Sequence, residues 1–148
     1  MSYSIVSGRC GEFETITLVH SDGTSFTIVP EMGARLNSFR VKVRNGFVDV
    51  IDGYKNQEEL KTEYYAKSSL LAPFPNRLAG GSYFFENKHH QLKINKVDEH
   101  NAIHGFVSNK KFLVKKTTLA GREGRIELEY TSLPEPGFPF PFLITVIY

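Results

Sequence analysis

The sequence predicts an all-β protein, folded as an antiparallel sandwich or barrel. Three observations support this fold class. Apolar and polar residues alternate with a period of two over much of the chain, as in residues 15–20 and 25–29. Turn dipeptides such as Asp22-Gly23 separate these runs. Only residues 56–66 depart from the pattern, so strands at regular spacing are expected along the chain.

Four hairpins and a closing strand are predicted in chain order. The first pairs residues 15–20 with 25–29, because Asp and Gly tolerate the positive φ that a tight hairpin requires. Pro30 ends this hairpin, since proline cannot donate to a ladder. The later predicted pairs are 38–43 with 47–51, 83–85 with 91–94 and 111–118 with 125–130, followed by the apolar run 142–148.

The one segment outside this pattern, residues 56–66, is predicted to form a turn or one short helix. Residues 57–61 are helix-tolerant, but the segment is short and the spacing of its apolar residues is poor. No internal repeat, low-complexity tract or linker interrupts the chain, so no internal domain boundary is expected. A length of 148 residues suits one domain.

The composition is that of an ordinary globular protein and excludes several classes. With 41% hydrophobic residues, 23% charged residues and a net charge of +2, the chain is neither disordered nor fibrous. The near-neutral balance argues against a nucleic-acid partner, and no apolar run reaches the roughly 20 residues of a membrane span. The single cysteine, Cys10, excludes a disulfide framework and fits a reducing compartment. Residues 1–13 contain no secretory h-region, so a cytoplasmic protein is predicted.

Five histidines are the first candidates for chemistry. His100 and His104 lie four residues apart, a spacing that on a helix would place two imidazoles on one face, as in zinc motifs. Asn101 and Gly105 favour a loop or strand instead, and no second ligand pair has a recognisable spacing. We therefore predict no metal site. Surface, turn or strand positions without a functional role are expected for His20, His89, His90 and His100.

His104 differs from the other histidines because of its neighbours. Residues 102–106 embed this titratable group in an apolar run, and the glycine that follows it allows a ligand or another chain to approach closely. An imidazole is available near neutral pH as donor or acceptor. From these residues alone, a functional histidine and a core histidine with a satisfied hydrogen bond are both open interpretations.

Asn76 and Arg77 form the second candidate. Pro73 and Pro75 fix the approach of the chain, and two glycines at 80–81 release it into a strand. A guanidinium fork beside an amide that both donates and accepts suits the vicinal hydroxyls or ring oxygen of a sugar. The alternative is a structural arginine that bridges loops to a carboxylate, and the residues alone leave both open.

Two further segments favour ordinary structural roles. The Pro-rich residues 134–142 resemble a polyproline II ligand in composition, but they lead directly into a strand, which favours an ordered loop. Phe138 in this loop offers a flat apolar face, with core packing as the default. A solvated face that discourages edge pairing is the interpretation of four basic residues: Lys110, Lys111, Lys115 and Lys116.

Several short blocks of the sequence follow one another in a characteristic order. The Asn-Arg block at 75–78 precedes the strand at 83–85 and the His-Gly block at 102–106. The Phe-Pro block at 137–142 leads into the closing strand, and a strand with a glycine turn lies earlier, at 28–34. As an ordered set, these blocks resemble the aldose 1-epimerase family, the galactose mutarotases and their relatives. The resemblance extends over nearly the whole chain.

The resemblance implies a large antiparallel β-sandwich, the galactose mutarotase-like supersandwich, with an open cleft that binds an aldose. The family's reaction is mutarotation, which interconverts the α and β anomers of a free hexose by general acid–base ring opening and closure. No cofactor or metal is implied. Carried over to this sequence, the resemblance gives Asn76 and Arg77 sugar-binding roles. It gives His104 a binding and a catalytic role near the reacting end of the sugar.

The sequence also departs from the family pattern. The family's principal acid is a second histidine downstream of the Phe-Pro block, and its base is a glutamate near the end of a protein about twice this long. No histidine follows His104 here. We therefore interpret residues 1–148 as the N-terminal portion of a single galactose mutarotase-like domain. We expect an isomerase in the parent protein and little or no activity in this chain alone, and a fragment and a short homologue remain alternatives.

The predicted partner is a small-molecule aldohexose, with its identity and its phosphorylation left open. Half of a sandwich would expose apolar surface and an unpaired edge at 142–148. Self-association or a complementing C-terminal half is therefore expected. One alternative function is a non-catalytic carbohydrate-binding or sensing module that uses the same residues. Another is an interaction domain that uses the Phe-Pro segment and the basic strand.

Overall fold

Residues 2–148 are described by a computed structural model whose regular structure is mainly antiparallel β-sheet. The first sheet contains five strands in chain order: β1 (Tyr3–Cys10), β2 (Phe13–His20), β3 (Ser25–Val29), β4 (Arg35–Val43) and β5 (Gly46–Asp49). A region of short elements follows: helix α1 (Gln57–Thr62), a 3₁₀ turn (Tyr64–Ala66), β6 (Arg77–Ala79), β7 (Ser82–Phe85), β8 (Lys88–Gln91), a second 3₁₀ turn (Val97–Glu99) and β9 (Asn101–Ile103). The last sheet contains three strands: β10 (Leu113–Ala120), β11 (Glu123–Ser132) and β12 (Phe142–Ile147).

The two larger sheets pack face to face. Leu18 and Ile28 of the first sheet and Ile126 and Leu128 of the last sheet belong to one buried cluster, together with Phe112. Burial of a side chain of this size contributes about 1.5–3 kcal/mol. The eight ladders between named strands are antiparallel. The predicted all-β class is therefore confirmed, and the two sheets are the layers of the sandwich in this chain.

The four predicted hairpins are present, with small changes in their bounds. β3, β5 and β11 pair with the strands that precede them as predicted. In the third hairpin, β8 begins at Lys88, three residues before the predicted position. Glu86 and Asn87 adopt φ values of 48° and 61°, which lets the chain reverse in two residues. The closing run forms β12 as predicted.

Three strands were not predicted. β1 pairs with β2 over all eight of its residues, although its polar and apolar positions alternate only weakly. β6 and β9 contain three residues each, too few for a period of two to be recognised. These last two strands carry the candidate site, so the periodic signal is absent where it matters most for function.

The segment predicted as a turn or short helix contains α1. The Asn56 side chain caps this helix by accepting a hydrogen bond from the Glu59 N–H at 2.9 Å. Leu60 anchors the helix, because it is fully buried in a cluster with Val29 and Tyr54. None of the helices within residues 2–148 is long and apolar enough to cross a membrane.

β12 lies at the edge of the last sheet, where β11 is its one neighbour among the described strands. Ile144 and Val146 point to the core, while Leu143 and Ile147 are 58% and 50% exposed. The strand thus presents an apolar outer face beside an open edge. This is the geometry on which the expectation of self-association depends.

Candidate functional site

The ladder between β6 and β9 brings the three predicted site residues together. Arg77 is directly opposite Ile103 in this ladder. Asn76, which precedes β6, and His104, which follows β9, lie opposite each other one position beyond this end of the ladder. Residues 28 positions apart in sequence are therefore neighbours in space, as the family resemblance requires.

Asn76 and His104 are joined by two hydrogen bonds. The His104 N–H donates to the Asn76 carbonyl at 3.0 Å, and the Asn76 N–H donates to Nδ1 of His104 at 3.0 Å. An imidazole that accepts at Nδ1 carries its proton on Nε2 when it is neutral. The half-buried His104 side chain is thus held in one orientation with an N–H donor available for a ligand.

Arg77 makes a two-point ion pair with Glu99. The guanidinium Nη2 donates to Oε1 at 3.0 Å, and Nε donates to Oε2. A third donor, Nη1, bonds to Oδ1 of Asn76 at 3.2 Å. Hydrogen bonding to Arg77 lowers the pKa of Glu99 to about 2. The bridging arginine considered from the sequence is thus observed, and two of the five guanidinium N–H donors remain for a ligand.

The Asn95 side chain holds the strand that leads to His104. Its Nδ2 donates to the Ile103 carbonyl at 2.9 Å, and its Oδ1 accepts from the Ile103 N–H at 2.7 Å. The amide therefore occupies the place that a neighbouring strand's backbone would take. Because Ile103 immediately precedes His104, this pair of bonds fixes the position of the backbone from which the imidazole projects.

Gly105 allows a second segment to lie directly against the site. It adopts φ +68°, and a Cβ placed on it would lie 1.8 Å from the Ala72 carbonyl oxygen. Phe106 N–H donates to this same oxygen at 2.9 Å. The close approach expected from the sequence therefore involves the chain's own backbone at Ala72, which leads into the segment that carries Asn76.

Arg77 and His104 line a cleft of about 670 Å³, within the range of about 300–1,000 Å³ typical of small-molecule sites. Asn76 is exposed, but among the described residues it is not part of the cleft wall. A neighbouring cavity of about 430 Å³ shares four wall residues with the cleft: Glu63, Asn95, Gly105 and Ser108. The two predicted side chains thus face a space large enough for a sugar.

Sequence reasoning missed Glu63, which lines both spaces. Its carboxylate pairs with Nη2 of Arg35 and accepts a hydrogen bond from Oγ of Ser108 at 3.1 Å. Glu63 lies just beyond α1, in the segment assigned only a turn or short helix. No motif marks it, and its partners are 28 and 45 residues away.

The other sequence candidates occupy structural positions. Phe138 packs edge-on against Phe106 at a centroid distance of 5.6 Å, inside an ordered loop closed by two hydrogen bonds between Glu135 and Phe138. Within residues 2–148, no group of three or more His, Cys, Asp or Glu side chains is arranged to hold a metal ion. Ion pairs with glutamates engage three of the four basic residues: Lys110, Lys111 and Lys115.

The chain belongs to the aldose 1-epimerase family, whose sequence profile matches residues 14–148. This agrees with the family resemblance that the Asn-Arg and His-Gly blocks indicated. Among individual proteins, the uncharacterized protein YihR of Escherichia coli K12 is 30% identical over 91 residues, which cover 62% of this chain and 28% of that protein.

Solved structures of related proteins share the fold. A galactose mutarotase-like protein from Clostridium acetobutylicum superposes with a TM-score of 0.84 at 22% identity, over 99% of this chain and 45% of that one. Galactose 1-epimerase from Lactobacillus acidophilus gives a TM-score of 0.73 at 19% identity, over 99% of this chain and 43% of that one. The chain therefore spans less than half the length of these relatives.

Proposed function

We propose that these 148 residues supply the sugar-contacting part of an aldose 1-epimerase that interconverts the anomers of a free aldohexose. In this proposal the chain is the N-terminal portion of one galactose mutarotase-like domain. The observation that carries the proposal is the hydrogen bond from the Asn76 N–H to Nδ1 of His104 at 3.0 Å. It leaves Nε2–H as the donor in a cleft that Arg77 also lines.

The proposed chemistry needs donors at these positions. During mutarotation a base removes the proton of the anomeric hydroxyl, an acid protonates the ring oxygen, and the bond between C1 and that oxygen breaks. The aldehyde then rotates and the ring recloses from the other face, with the two protons returned. In this scheme His104 donates a hydrogen bond near the reacting end of the sugar, where charge on oxygen changes. Arg77 holds hydroxyls with its two remaining donors.

The principal proton-transfer groups of the family, a second histidine and a late glutamate, have no counterpart assigned in this chain. Each well-placed acid or base contributes about 10²–10⁴-fold to the rate. We therefore expect the 148 residues to bind aldohexoses and to leave the rate of mutarotation near its uncatalysed value. Polarimetry of freshly dissolved α-glucose, with and without the chain, measures this rate.

Binding is tested by NMR titration of the ¹⁵N-labelled chain with glucose and galactose. Arg77→Ala should weaken binding by roughly tenfold or more and His104→Ala by roughly fivefold, because hydrogen bonds to charged groups contribute about 1.5–3 kcal/mol and neutral ones about 1 kcal/mol. Arg44→Ala and His89→Ala, exposed positions outside the cleft, are the matched controls. Unchanged affinity in both cleft variants would refute the site.

A further inference from the structure

Arg35 is a charged side chain in a place where packing alone favours an apolar one. It is fully buried, and its volume is the largest among the fully buried side chains of the described residues. Within those residues, its Nε and Nη1 have no hydrogen-bond partner. Burial of a charge costs several kcal/mol unless the charge is well paired. The guanidinium is therefore held in the core by its few partners.

The main partner of Arg35 is the Glu63 carboxylate. Nη2 of Arg35 pairs with Oε1 of Glu63, lies 3.4 Å from the Ser108 carbonyl oxygen, and Cζ lies 5.1 Å from the centre of the Tyr54 ring. The second carboxylate oxygen accepts from Oγ of Ser108. Both oxygens of Glu63 are thus tethered, one from the core and one from the cleft wall.

The tethered carboxylate still has acceptor capacity that faces open space. A carboxylate has about four acceptor sites, and the described contacts use two of them. The Glu63 side chain is 23% exposed and lines the same cleft as Arg77 and His104. Arg77 and His104 offer hydrogen-bond donors to a ligand, and Glu63 adds an acceptor that these two residues lack.

The backbone around Glu63 is strained in the way that functional sites often are. Glu63 and Tyr65 adopt φ values of 48° and 64°, and Ala66 and Ser68 adopt 48° and 50°. Each such non-glycine conformation is energetically unfavourable and persists only where the surroundings impose it. Three of these residues line the cleft: Glu63, Tyr65 and Ala66.

We propose that Glu63 is a further substrate-binding residue, which accepts a hydrogen bond from one hydroxyl of the bound sugar. Arg35 is its positioning residue, which holds the carboxylate from the core side. A sugar hydroxyl that accepts a hydrogen bond from a cleft donor also has an O–H of its own to donate, and the Glu63 carboxylate accepts that hydrogen bond. This inference rests on the proposed function, since it concerns the same cleft.

The test uses glucose and its 2-, 3- and 6-deoxy analogues, titrated into the 148-residue chain and its variants by NMR. Glu63→Gln alone would leave the buried Arg35 charge without its carboxylate partner, which is strongly destabilising. The double variant Arg35→Met/Glu63→Gln removes both charges together. Its folding is checked by circular dichroism, and Glu123→Gln, an exposed glutamate outside the cleft, is the control.

The double variant should bind glucose roughly tenfold or more weakly than the wild type. One deoxy analogue should bind both proteins with nearly equal affinity, because it lacks the hydroxyl that Glu63 accepts. A merely structural role would weaken all sugars by the same factor, and that result, or unchanged binding of glucose, would overturn the inference.

The remaining outcomes are also decisive. If the wild-type chain binds no sugar saturably, the proposed function fails, and this inference fails with it. If the double variant does not fold, Ser108→Ala keeps the ion pair and removes one tether of the carboxylate. It should show the same dependence on a single hydroxyl with a smaller change in affinity, and a uniform change or none would overturn the inference.

Discussion

The two large sheets and the region between them are held together in different ways. In the sheets, strands of up to ten residues pair along ladders, and an apolar cluster with residues such as Ile28 and Leu128 joins the layers. In residues 56–110 the strands are three or four residues long. There, side chains such as Asn95 bond to the backbone where another strand would otherwise pair.

Backbone conformation shows the same contrast. Among the described non-glycine residues with positive φ, only Ala34 lies in the larger sheets' part of the chain. The others fall between positions 63 and 104: Glu63, Tyr65, Ala66, Ser68, Asn76, Glu86, Asn87, His100 and His104. Strain of this kind requires support from elsewhere in the structure. The sheets therefore provide the stability that the candidate site uses to hold an unfavourable backbone.

The largest effect is expected in the core. Leu128 is fully buried, so Leu128→Ala should lower the free energy of unfolding by about 2–5 kcal/mol. Leu133→Ala is the matched control, because that leucine is 71% exposed and exposed substitutions usually change stability by about 0.5 kcal/mol or less. Urea unfolding followed by circular dichroism measures both, and similar losses would contradict the assignment of the core.

A loss of stability comparable to that of the core variant, together with a loss of sugar binding, is expected at Gly105. Gly105→Ala combines a positive φ with a Cβ 1.8 Å from the Ala72 oxygen, so it adds displacement of that segment to about 1–3 kcal/mol of strain. Gly80→Ala has a similar φ of +60° and nothing within 4 Å of its Cβ, and should cost about 1–2 kcal/mol.

Sugar titration separates the two glycine variants. The Gly105 variant should lose binding because the segment that carries Asn76 moves away from His104, whereas the Gly80 variant should retain it. Equal losses of binding in the two would show that the contact with Ala72 does not shape the cleft.

The smallest effect is expected from the exposed pair of Arg77 and Glu99. The pKa of Glu99 is lowered from 4.5 to about 2. The stabilising contribution of the pair is therefore complete above pH 4.5 and is lost as the pH falls toward 2. NMR titration of the Glu99 carboxyl should give a midpoint near 2, and Arg77→Ala should raise it toward 4.5. If Arg77→Ala leaves the midpoint of the Glu99 titration unchanged, the ion pair does not form in solution.

The sequence was a good guide to the sheets and a partial one to the site. Alternation and turn dipeptides predicted the four hairpins, because each depends on residues close together in the chain. Arg77 and His104 could be predicted as candidates because their neighbouring residues and a family pattern mark them. Glu63 could not be predicted as a candidate, since its position in the cleft depends on contacts with Arg35 and Ser108, 28 and 45 residues away. Such contacts leave no periodic trace.

The Asn95 amide also affects how the chain resists aggregation. β9 has β6 on one side, and on its other side the backbone of Lys96 pairs with Asn101. Unpaired groups at Ile103 on that side would invite pairing with a foreign peptide. Asn95 occupies the N–H and carbonyl of Ile103 that such a peptide would need. β9 thus cannot be extended by another strand next to His104, whereas the described contacts include no such side-chain protection for β12 at the sheet edge.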